Sequence, residues 1–480
     1  MLFSSMWFVW VFLPFVLVGN FILSKLPYKK KATKYKAQNL FLLICSCLFY
    51  AWGGLYYFAV MAATIVINYF GVILFDRFRE NPAKKKFFFV LTLVLNLAVM
   101  FYLKYFNFFV GMIEALANRQ FGLQSVVLPI GISFYVFQSM SYVIDAYRGT
   151  VKVQRNFFDL ALYVTLFPQL IAGPIVRYLD VENALANREE TSVKVALGIK
   201  RFCYGLAKKV LIADTVAKVV DEVFARDAAT LGANVAWLGI LLYALQIYYD
   251  FSGYSDMAIG LGHMLGFEFR ENFNYPYTSF SVQEFWRRWH ISLSSWFKEY
   301  VYIPLGGNRK GAGRTYLNLF IVFLLTGLWH GANYTFLIWG IYYGVFLILE
   351  RLFLGRLLQK NPVKILNVIY TLLVVLVGWV LFRSPNIEYA WTYLGQMFSF
   401  RSNAVTALNF GSMSMQVVLA AVAGILFSGL VQRPLAGPWE KVRGKTVVYW
   451  VDFAVQILLL IACIFSLTCS TYHPFIYFQF

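Results

Sequence analysis

Residues 87–103 and 447–468 are long runs in which apolar side chains follow one another with almost no charge between them. No other feature limits the fold so tightly. About 20 such residues make a helix that crosses a bilayer, where every backbone polar group must be bonded inside the protein. Charged residues make up 14% of the chain and hydrophobic ones 60%, against about 25% charged in an average soluble chain, so a soluble domain is excluded. A transmembrane barrel is excluded too, because it needs segments of about 10 residues with alternating polarity. The expectation is an all-α polytopic membrane protein, and 480 residues leave room for about 10 to 12 spans.

The net charge of +19 would suggest nucleic acid in a soluble chain. Its placement argues otherwise. The basic residues form short clusters beside apolar runs, the pattern that orients membrane helices, so the partner is the lipid bilayer and no nucleic acid is expected. Lys25 to Lys36 follow the first apolar run, Arg77 to Lys86 another, and Arg270 to Arg314 a third polar region. Cytoplasmic placement of 25–38, 76–86 and 251–314 puts both termini outside. The first run, 6–24, has no basic leader or small-residue cleavage site and reads as a retained span. No internal repeat or linker divides the chain, so one membrane domain is expected over 1–480, with its motifs in 87–383.

Pro168, Gly173 and Pro174 interrupt the apolar segment 157–176, which reads as broken or re-entrant. Segment 202–224 has helical periodicity but contains Lys208 and Lys209, so it can cross the membrane or lie on its surface. Two polar stretches, Asp250 to Asp256 and Asn272 to Tyr277, read as turns lining a solvated cavity.

Four histidines are present. His330 ends an apolar run in Leu328-Trp329-His330-Gly331-Ala332-Asn333, where an imidazole is costly unless it faces a polar cavity or bonds a neighbouring helix. Gly331 is expected to stop the helix. His290 lies in Phe285-Trp286-Arg287-Arg288-Trp289-His290, which reads as an amphipathic interfacial helix with Trp286 and His290 on one face. His263 and His473 have no such context and read as structural. No metal-ligand spacing is present, and Cys45, Cys47, Cys203, Cys463 and Cys469 read as apolar filler.

Trp329-His330-Gly331, the Phe285–His290 block and Tyr300-Val301-Tyr302-Ile303-Pro304-Leu305-Gly306-Gly307-Asn308 together resemble the membrane-bound O-acyltransferase family. Supporting blocks are Pro129–Phe134, Phe167–Pro174 and Asp250–Asp256, and within the family the chain is most similar to the bacterial branch that O-acetylates alginate and peptidoglycan. The resemblance implies a ring of tilted helices with re-entrant segments around a central tunnel. It also implies that His330 and His290 are the catalytic pair, with His290 at a position held by Asn or Asp in some relatives. Trp286, Arg287, Arg288, Asn308, Trp329 and Asp250 become candidates for binding substrate or donor. Arg309 and Lys310 join Arg287 and Arg288 as possible partners for coenzyme A phosphates, although orientation by the bilayer explains these cations equally well.

No bound cofactor or metal is implied. The donor would be cytosolic acetyl-CoA and the acceptor a surface polysaccharide, reached through an extracytoplasmic acetyltransferase partner, with the enzyme a multi-pass protein of the bacterial cytoplasmic (inner) membrane. Two other readings stand beside this one. The first is D-alanyl transfer from a carrier protein toward teichoic acid. The second is a non-catalytic transporter, channel or scaffold in which His330 lines a path.

Overall fold

The computed structural model describes residues 1–171, 173–399, 413–442, 444–469 and 476. Helices dominate, and no strand occurs among the described residues. The chain packs as two compact units, 1–202 with 257–270, and 203–256 with 271–480.

The first unit opens with α1 (Phe8–Lys25), α2 (Lys31–Ala51), α3 (Leu55–Arg77) and α4 (Pro82–Ala117). Lipid tails are as apolar as leucine, so membrane helices associate through close packing and polar bonds rather than through exclusion of water. The α3–α4 pair shows both devices. Asn68 and Asn96 exchange reciprocal side-chain amide bonds of 2.9 and 3.0 Å, and Gly71 lets the helices close in, because a Cβ there would lie 2.2 Å from Thr92 Oγ1. After α5 (Ile132–Arg148), the expected broken segment appears as α6 (Phe157–Thr165) and the single turn α7 (Phe167–Leu170). The chain then runs without helix to α8 (Tyr178–Ala186), as Pro168, Gly173 and Pro174 led us to expect.

From α9 (Ser192–Ala207) the chain continues through a π turn, Lys208–Ala213, into α10 (Asp214–Phe224). Lys209 is buried here, and its amine lies 2.6 Å from Asp214 and 2.8 Å from Asp250. Burial pulls that amine down, but the two carboxylates more than offset it and hold its pKa above the usual lysine value.

Next comes α11 (Ala233–Met264), which corrects one expectation. The Asp250–Asp256 stretch is the middle of this helix, not a turn. Its two aspartates are paired by neighbours: Asp256 takes the Lys208 amine at 2.6 Å and Asp250 the Lys209 amine at 2.8 Å. Gly253 serves helix packing, since a Cβ there would lie 2.7 Å from the Gly205 carbonyl oxygen.

The second correction concerns residues 285–296. They form two short helices, α12 (Val282–Arg288) and α13 (Ile291–Phe297), broken at Trp289-His290 where His290 has φ +45°. Trp286 and His290 therefore do not share a helical face.

Two long helices follow, α14 (Ala312–His330) and α15 (Tyr334–Leu349), and later Lys364–Arg383. Among the described residues eight helices are long and apolar enough to cross a membrane, or nine if the pair Met415–Leu430 and Gln432–Val442, bent by 70°, is one span. The expected number was larger. Three segments account for the difference: α2 opens with lysines and amides, α5 is only 17 residues long, and the α9–α10 stretch carries the Lys209 ion cluster.

Candidate active site

Two glycines fix the place of His330. The α14–α15 hairpin closes so tightly that a Cβ on Gly327 would lie 2.3 Å from the Phe336 carbonyl oxygen, and one on Gly340 2.5 Å from that of Phe323. Helix α14 stops at His330 because Gly331 is extended, and Asn333 then caps α15 by accepting the Thr335 N–H at 3.1 Å. Gly331 is also needed for space, since a Cβ there would meet the Phe336 ring at 2.4 Å.

The imidazole of His330 is buried in an aromatic box. Trp329, Trp339 and Phe382 stand edge-to-face to it with ring centroids at 5.0, 5.1 and 4.9 Å. Phe336 lies more nearly parallel at 6.3 Å.

His290 reaches the same indole from another direction. Its ring centroid is 6.1 Å from that of Trp329 and 4.6 Å from that of Phe251. Asn272 holds it. The Asn272 Oδ1 accepts the Ser292 N–H at 3.1 Å and the Ser292 hydroxyl at 2.9 Å, and His290 Nδ1 lies 3.2 Å away. A backbone N–H only donates, so that atom is the amide oxygen. His290 therefore bonds it through a protonated Nδ1 and keeps Nε2 as its acceptor nitrogen. On its other side Asn272 donates to Ser255 on α11 at 3.1 Å.

Burial pushes the His290 imidazole down to about 3, so it is neutral in the folded protein. An unfolded chain takes up a proton as pH falls below about 6.5, and the folded chain does so only near 3. This contribution to stability is thus complete above the unfolded value and shrinks on acidification. His290→Asn is expected to flatten the fall in thermal stability between pH 7 and pH 5, measured in detergent, and to retain more activity than His290→Ala. Asparagine accepts the left-handed backbone, whereas alanine there costs about 1 kcal/mol. Equal acid sensitivity in parent and His290→Asn would remove His290 as the source.

Trp286 joins the group from α12. Ser281 caps that helix by accepting the Glu284 N–H at 3.0 Å, and Glu350 accepts the Val282 and Gln283 N–H groups at 2.7 and 2.9 Å. So fixed, the Trp286 ring lies 5.4 Å from Trp339.

The other sequence candidates are elsewhere. Arg287 is exposed, Arg288 pairs with Glu284 at 2.5 Å, Asn308 is exposed in a turn where it accepts the Tyr302 hydroxyl, and Asp250 belongs to the Lys209 cluster. His263 is half-buried near the end of α11, while His473 lies outside the described residues. Trp339 and Phe382 were missed, because nothing local in an apolar helix marks which aromatic residue packs on the histidine. The usable signal was spacing, since Trp339 and Tyr343 lie one turn apart on the helix that follows His330.

The arrangement offers a buried imidazole, a second imidazole held neutral across one indole, and an aromatic surround. The profile of MBOAT, the membrane-bound O-acyltransferase family, matches residues 151–391. The probable alginate O-acetylase AlgI of Pseudomonas putida is 44% identical over the whole of both chains. A peptidoglycan O-acetyltransferase of Helicobacter pylori is 37% identical over 81% of this chain and 78% of its own. The teichoic acid D-alanyltransferase of Bacillus subtilis is 29% identical over 47% of this chain and 59% of its own. With this family match, a full-length relative at 44% identity and eight candidate spans among the described residues, the chain belongs to the membrane-bound O-acyltransferase family and is a multi-pass O-acyltransferase.

Proposed function

We propose that the protein moves an acetyl group from cytosolic acetyl-CoA to an extracytoplasmic acceptor, in the O-acetylation of a surface polysaccharide such as alginate or peptidoglycan, through a partner acetyltransferase. The observation that carries this reading is the meeting of His330 and His290 at Trp329, in a chain whose full-length relatives bear O-acetylase names. The D-alanyltransferase relatives align over only about half of the chain, which favours acetyl over D-alanyl as the group moved.

In this mechanism His330 is the general base. It takes the proton of the acceptor hydroxyl as the oxygen attacks the thioester carbonyl carbon, and returns it to the departing thiolate as the carbon–sulfur bond breaks. His290 orients the donor. Asn272 fixes its ring, and its neutral state suits a hydrogen-bonding role rather than a charged one. In this reading the enzyme sits in the bacterial inner membrane with both termini outside, and the basic stretch from Arg270 to Arg314 lies beside the cytosolic donor.

The test is purified protein with radiolabelled acetyl-CoA or with a D-alanylated carrier protein, each with polysaccharide acceptors. Transfer from acetyl-CoA is expected. Transfer from the carrier alone would replace the acetyl reading, and turnover of neither would favour the transporter or scaffold.

A further inference from the structure

Three polar atoms beside the aromatic box are buried and have no hydrogen-bond partner among the described residues: Trp286 Nε1, Trp339 Nε1 and the Tyr343 hydroxyl. Such groups are rare in native proteins, and each costs about as much as a lost hydrogen bond. Here they are neighbours. The Trp286 and Tyr343 rings are 4.9 Å apart, Trp286 and Trp339 5.4 Å, and Trp339 and Tyr343 5.1 Å. Trp339 also stands against His330 at 5.1 Å. Gly378 makes room for the hydroxyl, since a Cβ there would lie 2.4 Å from it.

The chemistry of the set selects its ligand. An indole N–H donates and never accepts, so two of the three groups require an oxygen that carries lone pairs. A carbonyl oxygen meets that need, and meets it better once it becomes anionic. We propose that Trp286, Trp339 and Tyr343 bind the carbonyl oxygen of the acyl thioester and stabilise the negative charge that forms on it when the acceptor hydroxyl attacks. The electron pair of the carbonyl moves to that oxygen as the new carbon–oxygen bond forms, and returns when the carbon–sulfur bond breaks. His330 carries the proton meanwhile. This assignment rests on the acetyl-CoA reading above and adds the groups that hold the oxygen. Fixed donors aimed at developing charge in a water-poor site are among the largest contributors to catalysis.

The test uses the full-length enzyme in detergent, with Trp339→Phe and Tyr343→Phe. Both keep an aromatic ring in the packing and delete one donor. Each is expected to lower kcat by about 10²- to 10³-fold with the KM for acetyl-CoA nearly unchanged, and to melt at or above the parental temperature. A dithioester analogue of acetyl-CoA, whose carbonyl oxygen is replaced by the weaker acceptor sulfur, should slow the parent more than either variant. If one variant fails to accumulate, the other decides. Parental kcat in a folded phenylalanine variant would overturn the proposal while leaving His330 as base, and would mean that the donors rest on the ring faces around them. An equal sulfur effect in parent and variants would overturn it also. A parent inactive with acetyl-CoA would overturn both this assignment and the reading beneath it.

Discussion

His330→Ala is expected to abolish acyl transfer while the protein still inserts, accumulates and melts near the parental temperature. General base catalysis is worth about 10²- to 10⁴-fold, so the loss should exceed about 2.7 kcal/mol of transition-state stabilisation. Stability should change little by comparison, because the box around the imidazole is built by α14, α15 and the Lys364–Arg383 helix through Trp339, Phe336 and Phe382, which remain. Steady-state transfer and thermal melts on the same preparation check both halves. In the parent, kcat/KM should fall on the acid side, since a base must be deprotonated to act. His290 cannot supply that limb, because burial keeps it neutral down to about 3. Parental turnover in folded His330→Ala would remove the base. A mutant that fails to fold would show instead that the imidazole serves helix packing.

The largest effect on stability is expected far from this chemistry, at Lys209. Its amine stands between two buried carboxylates at 2.6 and 2.8 Å, and Asp250 also accepts the Ile476 N–H at 2.8 Å. Lys209→Met takes away the ammonium that stands between two buried aspartates. Breaking a buried ion pair from one side costs about 3–5 kcal/mol, whereas replacing every charge with a neutral group of similar shape is often tolerated. The single variant should therefore melt well below the parent, and Lys209→Met with Asp214→Asn and Asp250→Asn should recover much of the loss. Denaturant or thermal unfolding in detergent reads both. A single variant as stable as the parent would show that the cluster is solvated.

How much of this could be read from the sequence depended on the range of the forces involved. Long apolar runs gave the spanning helices, because the bilayer imposes length and hydrophobicity locally. Pro168, Gly173 and Pro174 gave the break after α6, and Gly331 the end of α14, since those residues act on their own backbone. Of the box, the motif at His330 contained only Trp329, because Trp329 and His330 adjoin in the chain.

What escaped was long-range pairing. Asp250 to Asp256 read as a turn because it is a polar stretch among apolar sequence, yet Lys208 and Lys209 of the π turn pair with its two aspartates within a continuous helix. The break at His290 was hidden for a similar reason. Residues 285–296 have good helical spacing, but Asn272, distant in sequence, bonds Ser292 and holds the left-handed turn. Arg287 and Arg288 stand out in the sequence by charge, and the structure turns the first outward and pairs the second on its own helix. Trp339 and Tyr343 carry no such local mark, although Trp339 stands against His330 and Tyr343 against Trp339.

The central claim is that one membrane protein carries acetyl groups from a thioester on one side to a hydroxyl acceptor on the other, with His330 moving the proton. Purified enzyme in sealed, unilaterally oriented proteoliposomes tests it most directly: labelled acetyl-CoA is supplied on the face bearing the basic stretch from Arg270 to Arg314, and acceptor with its partner acetyltransferase on the opposite face. The account predicts labelled acetyl ester on the enclosed acceptor from the parent, and at least about 10²-fold less from His330→Ala. Equal labelling by parent and mutant, or labelled acetyl-CoA crossing intact with no ester formed, would contradict it.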